Sequence, residues 1–92
     1  MVEMIVGNVY RLHPDVSGAI LYQPDALIAN YVKKRTLFPH ESVTIYDSVL
    51  GLYLESYLTP TSSTYYLFLI LGKKYYASVD WNDFIFEEIK CL

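Results

Sequence analysis

The sequence lacks most of the side chains on which metal centres and disulfide-stabilised folds depend. Its 92 residues include one cysteine, Cys91, and two histidines, His13 and His40. One thiol cannot form a disulfide within the chain, and these residues do not have the paired spacing of a structural zinc site. We therefore expect no disulfide, no bound metal and no other cofactor. A lone thiol is typical of a reducing compartment, so the predicted location is cytoplasmic or virion-associated.

Catalytic motifs are also absent. The four glycines are scattered, so no glycine-rich loop is available to bind a phosphate, and no serine lies in a G-x-S-x-G sequence. The acidic stretch DWNDFIFEE, residues 80–88, lacks the glycine that a calcium loop has at its sixth position. We predict that the protein is not an enzyme. A small enzyme is an alternative, for which His40, Asp80 and Asp83 are the residues to test.

Charged residues and long apolar runs are scarce. Only 18% of the residues are charged, below the roughly 25% that is usual in soluble domains. The net charge of −3 has the wrong sign for a protein whose main task is to bind phosphates, so nucleic acid is not the expected partner. The longest apolar run, residues 65–71, is far shorter than the about 20 residues of a membrane-spanning helix. We expect no membrane span.

The chain has an excess of apolar and aromatic side chains. Hydrophobic residues make up 53% of it, and ten residues are tyrosines. A domain of this length hides only about 60 to 65% of its unfolded surface, so we expect some apolar surface to meet a partner protein or a second copy. Tyrosine suits such interfaces because its rigid ring ends in a polar hydroxyl. The alternative is that these rings pack on the protein's own sheet. The predicted interface residues are Tyr53, Tyr57, Tyr66, Tyr76 and Trp81.

One helix is predicted, over residues 24–35. Pro24 suits the first helical position, Asp25 complements the positive first turn, and three basic residues complement the negative last turn. These basic residues are Lys33, Lys34 and Arg35. We interpret them first as a solvated helix end and second as a candidate site for an acidic partner. The apolar residues that share one face of the helix are Leu27, Ile28, Tyr31 and Val32.

Short β-branched and aromatic segments predict strands elsewhere. The predicted strands are residues 2–12, with a Gly-Asn pair that suits a tight hairpin, and residues 19–22, 43–46, 65–71, 75–79 and 84–89. Residues 47–59 fit a capped helix or a strand, and Gly51 with the neighbouring tyrosines favours the strand. The strand 65–71 is apolar on both faces and must be covered twice. We expect one face to fill a barrel and the other to lie under the helix or against a second chain.

The order of these elements resembles part of a known superfold. Residues 43–89 give a strand, a hairpin, a strand, a 3₁₀ turn near residues 80–84 and a short final strand, which resembles the second half of SH3-like small barrels. The resemblance covers about half of the chain. The acidic first loop and the proline of peptide-binding SH3 domains are missing, so recognition of proline-rich peptides is not implied. The predicted fold is mostly β: one domain over residues 1–92, an SH3-like small barrel of about five to seven short antiparallel strands with one helix near residues 24–35.

Composition and pattern together favour a binding protein. The leading hypothesis is a non-enzymatic protein-protein interaction or assembly subunit that uses an aromatic and aliphatic sheet face. A compact protein of this kind would suit a viral particle or a small inhibitor of a host protein. The alternative is a single-stranded nucleic-acid-binding module, in which aromatic rings near Lys73 and Lys74 stack on unpaired bases. Acidic residues outnumber basic ones in that half of the chain, which argues against this alternative.

Overall fold

The computed structural model of the protein describes residues 4–15, 18–34, 36–80 and 84–89. Within them the chain forms seven strands and one α-helix. These are β1 (Val9–Pro14), β2 (Ala19–Tyr22), α1 (Pro24–Val32), β3 (Ser42–Ile45), β4 (Val49–Leu58), β5 (Thr64–Ile70), β6 (Lys73–Ser78) and β7 (Phe84–Ile89). One turn of 3₁₀ helix, Pro39–Glu41, precedes β3. The predicted mostly-β architecture with a helix near residue 24 is confirmed.

The strands form one antiparallel sheet in the order β3-β2-β6-β5-β4-β1-β7. Leu21 of β2 and Phe84 of β7 nevertheless lie in the same core. Five strand spacings would separate these two strands by about 24 Å in a flat sheet. The sheet is therefore curled into a half-barrel. We call its concave side the inner face and its convex side the outer face.

The inner face carries the larger of two cores. Phe68 of β5 is fully buried there, and its ring stacks on that of Phe86 with centroids 5.7 Å apart. Tyr53 of β4 packs against the same ring at 5.6 Å. Side chains alternate between the faces of a strand, so every second residue of β5 points into this core. The buried members of the inner core are Tyr10, Leu12, Ala19, Leu21, Tyr53, Phe68, Ile70, Ala77 and Phe84.

On the outer face, α1 covers one part of the sheet. Leu27 is 1% exposed and packs with Tyr65, Leu67 and Tyr76 in a second, smaller cluster that we call the helix core. The hydroxyl groups of Tyr31 on the helix and Tyr65 on β5 form a hydrogen bond of 2.9 Å. The helix is therefore held by one leucine side chain and by a tyrosine pair.

The predicted apolar face of α1 is only partly buried. Ala26 and Leu27 are buried, whereas Ile28 is 37% exposed and Val32 is 61% exposed. The helix meets the sheet along the line of Leu27 and Tyr31, so the other two apolar residues lie on its flank. Of the four residues predicted to share one face of the helix, only Leu27 and Tyr31 pack against the sheet in the described structure.

The helix ends at Val32, before the predicted boundary. The backbone N–H of Lys33 donates to the carbonyl of Ala29 at 2.9 Å, and Lys34 has a left-handed φ of 53°. A residue in that conformation commonly ends a helix. Lys33 and Lys34 thus follow the helix, and the prediction that they lie in its last turn is wrong. Arg35 lies outside the described residues.

The segment before β1 is a turn and not a strand in its described part. The backbone N–H of Asn8 donates to the carbonyl of Ile5 at 3.2 Å. Gly7 donates to the carbonyl of Tyr53 at 2.9 Å, and Tyr53 donates to that of Asn8 at 3.0 Å. The hairpin predicted at the Gly-Asn pair is wrong because this pair bonds to β4.

Residues 47–59 contain a strand, as the tyrosines in them predicted. The register of β4 against β5 shifts between Tyr53 and Glu55, which leaves Leu54 as a bulge. A bulge breaks the alternation of side chains, and this explains why the segment also fits a helical period. Gly51 lets β4 approach the inner core closely, since an added Cβ would lie 3.0 Å from the Cβ of Phe68.

A two-residue turn, Leu71 and Gly72, joins β5 to β6. Their φ angles are 50° and 80°, and positive values at both central positions define a type I′ hairpin turn. Glycine adopts such angles freely, whereas they cost another L-residue about 1–2 kcal/mol. The Leu71 side chain is 97% exposed, so no packing offsets this strain.

Leu71→Asn is expected to stabilise the protein by about 0.5–1 kcal/mol, because asparagine tolerates the left-handed region and Asn-Gly is a preferred turn pair. Thermal unfolding followed by circular dichroism should show a midpoint a few degrees higher. Leu71→Val is the control, and it should lower the midpoint because a β-branched residue is more strained there. Two unchanged midpoints would contradict the turn geometry.

The central strand β5 is covered on both faces by the chain itself over most of its length. Tyr65 and Leu67 are 4% and 5% exposed on the helix side, and Phe68 and Ile70 are 0% and 5% exposed on the inner face. Of the two covers expected for its outer side, the helix is the one observed here. Leu69 is the exception on that side, because it is partly exposed and belongs to neither core of the described residues.

Candidate functional site

An aliphatic strip crosses four neighbouring strands on the outer face, beyond the part that α1 covers. Leu69 of β5 pairs in register with Leu52 of β4, Leu52 pairs with Val9 of β1, and Val9 pairs with Ile89 of β7. Directly opposed residues lie on the same face of a sheet, with Cβ atoms about 4.5–5.5 Å apart. The four side chains therefore form a continuous strip, which we call the outer row.

The outer row is partly exposed along its whole length. Within the described part of the chain, its four residues belong neither to the inner core nor to the helix core. Two further aliphatic residues on the same face are more open, Leu50 at 50% and Ile85 at 54% exposure. An antiparallel sheet normally turns polar residues to water. The outer row departs from this pattern, because its adjacent side chains are apolar and partly exposed.

A polar rim runs along one side of the outer row. Arg11 of β1 lies between Leu50 of β4 and Glu87 of β7 in the register of the sheet. Its guanidinium is 3.9 Å from the Glu87 carboxylate, and both side chains are about half exposed. Such a pair contributes less than about 1 kcal/mol to stability. Its effect is to place charge beside an apolar centre, which is the usual anatomy of a protein interface.

The rim contains a hydrogen-bonded chain of three side chains. The Ser48 hydroxyl lies 2.7 Å from Nδ1 of His13, and Nε2 of His13 lies 3.1 Å from a carboxylate oxygen of Glu87. When the neutral ring carries its proton on Nε2, Ser48 donates to Nδ1 and Nε2 donates to Glu87. A hydroxyl, a base and an orienting carboxylate in series can activate a nucleophile.

This chain of hydrogen bonds nevertheless lies on open surface. The side chain of His13 is 36% exposed and that of Glu87 is 56% exposed. Neither of the two grooves described below is lined by any of the three residues. Acyl transfer needs walls that orient a substrate and donors for the oxyanion. The geometry therefore favours a structural role over a catalytic one: these hydrogen bonds link β1, β7 and the segment before β4 at the surface.

A groove of about 680 Å³ lies next to the outer row, along the flank of α1. Ile28 lines its helix side and Leu67 its sheet side, and Glu55 and Lys74 place opposite charges on the sheet side. A second groove of about 290 Å³ continues along the helix to Val32. The two grooves run from the sheet onto the helix, and their linings mix aliphatic residues such as Ile28 with charged ones such as Asp25.

The predicted interface tyrosines lie mostly inside the protein. Tyr53 is 5% exposed in the inner core, and Tyr76 is 3% exposed in the helix core. Tyr57 and Tyr66 are half-buried beside these cores. Trp81 lies outside the described residues. These four tyrosines thus pack on the chain's own sheet, and the outer row beside them is aliphatic.

Lys73 and Lys74, the basic residues of the nucleic-acid alternative, are not followed by open aromatic rings. Lys73 and Lys74 are exposed, but the rings that follow them, Tyr75 and Tyr76, are half-buried and buried. Stacking on unpaired bases needs open ring faces. Lys33, in the candidate site for an acidic partner, is exposed and lines the smaller groove.

The residues weighed for a small enzyme support local turns. The His40 ring stacks on the Phe38 ring with centroids 5.8 Å apart. The backbone carbonyl of His40 accepts a hydrogen bond from the side-chain amide of Gln23 at 3.1 Å. Asp80 accepts from the backbone N–H of Thr64 at 2.7 Å, and Asp83 lies outside the described residues. Across residues 4–15, 18–34, 36–80 and 84–89, no three His, Cys, Asp or Glu side chains are grouped as a metal site requires.

Burial changes the acidity of three tyrosines. Burial raises the pKa of Tyr65 far above its usual range, and the hydrogen bond to Tyr31 adds to the effect. Burial also raises the pKa of Tyr66 and of Tyr76. At Tyr76 the negative charge of Glu55 adds to the effect, because it disfavours the ionised phenolate. In each case the folded protein resists loss of the phenolic proton.

The protein is expected to lose stability at alkaline pH. Up to about pH 10, the ordinary tyrosine pKa, folded and unfolded chains hold the same phenolic protons. Above it the unfolded chain holds fewer, so the free energy of unfolding falls as pH rises. Urea unfolding over this range should show a smaller fall for Tyr65→Phe than for Tyr46→Phe, a control whose ring is 71% exposed. Equal falls would contradict the burial of Tyr65.

Comparison with known proteins does not assign a role to the outer face. No protein-family model, curated protein or solved structure matches the chain. Among the described elements, α1 is too short to cross a membrane, and no other helix there is long and apolar enough.

Sequence reasoning missed both the outer row and the hydrogen-bonded rim. The four residues of the outer row are more than ten positions apart, as are the three hydrogen-bonded residues Ser48, His13 and Glu87, and only the fold of the sheet brings them together. The sequence did contain one signal of an apolar outer face: the predicted strand 65–71 is apolar on both sides, and such a strand must be covered twice. The sequence could not show that α1 would cover Leu67 and leave Leu69 open.

Proposed function

We propose that the protein is a non-enzymatic protein-binding or assembly subunit, and that the outer row is the centre of its binding face. The observation that supports this is the row itself: four partly exposed aliphatic residues in register on four adjacent strands. Burying apolar area contributes roughly 25 cal/mol per Å². A partner that covers the row gains this energy for the part of each side chain that the free chain leaves exposed.

The surroundings of the row fit a protein partner better than a small substrate. The row spans three strand spacings, about 14 Å, and the grooves beside α1 enlarge it toward the about 800 Å² per partner of a stable interface. The charged rim would fix the orientation of the partner. An enzyme needs converging ionisable groups in a walled pocket. The hydrogen-bonded side chains of Ser48, His13 and Glu87 instead lie on open surface.

We also propose that the half-barrel is an SH3-like small barrel. A meander of β4, β5 and β6 is followed by β7, which pairs with β1 next to β4. This arrangement supports the resemblance found in the sequence. The segment from β2 through α1 to β3 is then an elaboration between the first two barrel strands. A cytoplasmic or virion-associated location stays a prediction, because a fold of this kind carries many functions.

Two matched substitutions on β4 test the binding face. Leu50 and Leu58 are 50% and 66% exposed, but Leu58 pairs with Thr64 at the opposite end of the strand from the outer row. Leu50→Arg should abolish partner binding, because a buried unpaired charge costs several kcal/mol. Leu58→Arg should leave binding unchanged.

The measurement is capture by the tagged chain from an extract of its source cells, with folding of each variant checked by circular dichroism. A protein held by the wild type and by Leu58→Arg, and lost from Leu50→Arg, supports the proposal. A partner retained equally by both variants contradicts it. So does a wild type that binds no protein, its own copies included.

A further inference from the structure

We infer that the outer row binds the outer row of a second copy of this chain, in a dimer with two-fold symmetry. This inference rests on the proposed function and names the occupant of the same face. In such a dimer one patch supplies both sides of the interface, so the patch must be complementary to itself. The outer row meets this condition in its apolar side chains and in its charges.

The apolar residues match under one simple placement of the axis. When the two-fold axis runs parallel to the strands between β4 and β1, Leu52 of one copy faces Val9 of the other. Leu69 then faces Ile89 of the second copy. Each aliphatic pair occurs twice. Because the outer faces are convex, the two pairs of Leu52 with Val9 next to the axis make the closest contact, and the pairs of Leu69 with Ile89 lie at its sides. Sheets that pack face to face align within about 30°, and side chains of this kind interdigitate between them.

The charges at the two ends of the row are opposite. Lys74 of β6 pairs in register with Leu69 and continues the row at that end. Glu87 lies at the other end, on the same face of β7 as Ile89 and two residues before it. The axis reverses the row, so the basic end of each copy reaches the acidic end of the other. The dimer thus gains two equivalent pairs between Lys74 and Glu87.

The rim accommodates this contact without rearrangement. Among the described residues, Lys74 forms no salt bridge within its own chain, whereas Glu87 is contacted by Arg11 at 3.9 Å and by His13 at 3.1 Å. Arg11 lies over Leu50 of the second copy in this placement. Its aliphatic stem can cover that leucine while its guanidinium stays beside Glu87. The dimer therefore supplies Lys74 with a carboxylate partner and leaves no rim charge buried alone.

Reversal of one charge at a time tests this arrangement. Lys74→Glu puts a carboxylate against Glu87 of the other copy, and Glu87→Lys puts an ammonium against Lys74. Either variant alone should dimerise at least about tenfold more weakly than the wild type, because juxtaposed like charges are costly. An equimolar mixture should recover the dimer, since each new charge then meets its opposite. The two substitutions combined in one chain should recover it as well.

Sedimentation equilibrium from about 1 μM to about 1 mM chain measures these dissociation constants. Lys34→Glu is the control, because Lys34 is exposed after the end of α1 and lines neither groove, and it should not change these dissociation constants. A wild type that stays monomeric overturns the inference, but the proposed face survives if Leu50→Arg still releases a different protein. Dimers that persist in both charge variants, or variants that do not recover on mixing, also overturn it and indicate pairing through the edge strands β3 or β7.

Discussion

Phe68→Ala is expected to lower the free energy of unfolding by about 3–5 kcal/mol. The ring is fully buried at the centre of the inner core. Four aromatic rings surround it with centroids 5.6 to 6.5 Å away: those of Tyr10, Tyr53, Tyr66 and Phe86. A small domain is stable by only about 5–15 kcal/mol. The variant should therefore be close to unfolding at room temperature.

Urea unfolding followed by circular dichroism measures this loss. Leu58→Ala is the control, because Leu58 is 66% exposed and should change stability by less than about 0.5 kcal/mol. The curl of the sheet is what closes the inner core around Phe68. A loss below about 1 kcal/mol for Phe68→Ala would show a ring that is still solvated, and would contradict the half-barrel.

Leu27→Ala is expected to cost about 2–4 kcal/mol, within the usual range for a buried leucine. Leu27 is 1% exposed and is the buried apolar residue that α1 supplies to the helix core. Its loss should loosen α1 from the sheet and open Tyr65 and Leu67 to water. Hydrogen exchange should therefore quicken in α1 more than in β5, because β5 keeps its ladder bonds to β4 and β6.

Val32→Ala is the matched control on the same helix. Val32 is 61% exposed, so this change should cost less than about 0.5 kcal/mol and leave exchange in α1 unchanged. Equal losses for the two variants would mean that the helix does not seat on Leu27. The division of the outer face into a covered part and an open part would then fail.

The positions of the strands were predictable because they follow from local pattern. Turn residues such as Pro60 and Gly72 separate short β-branched and aromatic segments, and strands lie at most of the predicted places. The boundaries that failed were set by backbone geometry. The left-handed φ of Lys34 ends α1, and the bonds of Gly7 and Asn8 to Tyr53 replace the hairpin.

The composition of the open face was not predictable, because it depends on the bending of the sheet. A curled sheet needs large side chains to fill its concave side, and rings such as Tyr53 and Phe68 lie there. Tyr76 is buried in the same way by α1. Aliphatic residues such as Leu52 lie on the open part of the outer face. A sequence alone does not distinguish them from leucines of the core. The apolar excess predicted an uncovered surface, and only the register showed which residues form it.

Methyl NMR spectra recorded over a concentration series test whether another protein molecule covers the outer row. The methyl groups of Val9, Leu52, Leu69 and Ile89 are expected to shift together as the chain is concentrated and to become shielded from a soluble paramagnetic probe. The methyl groups of Leu58 should not change. In the contradicting result, the outer row is as open to the probe in the concentrated protein as in the dilute chain, and it stays open when a captured partner is added. The proposed binding face would then be wrong.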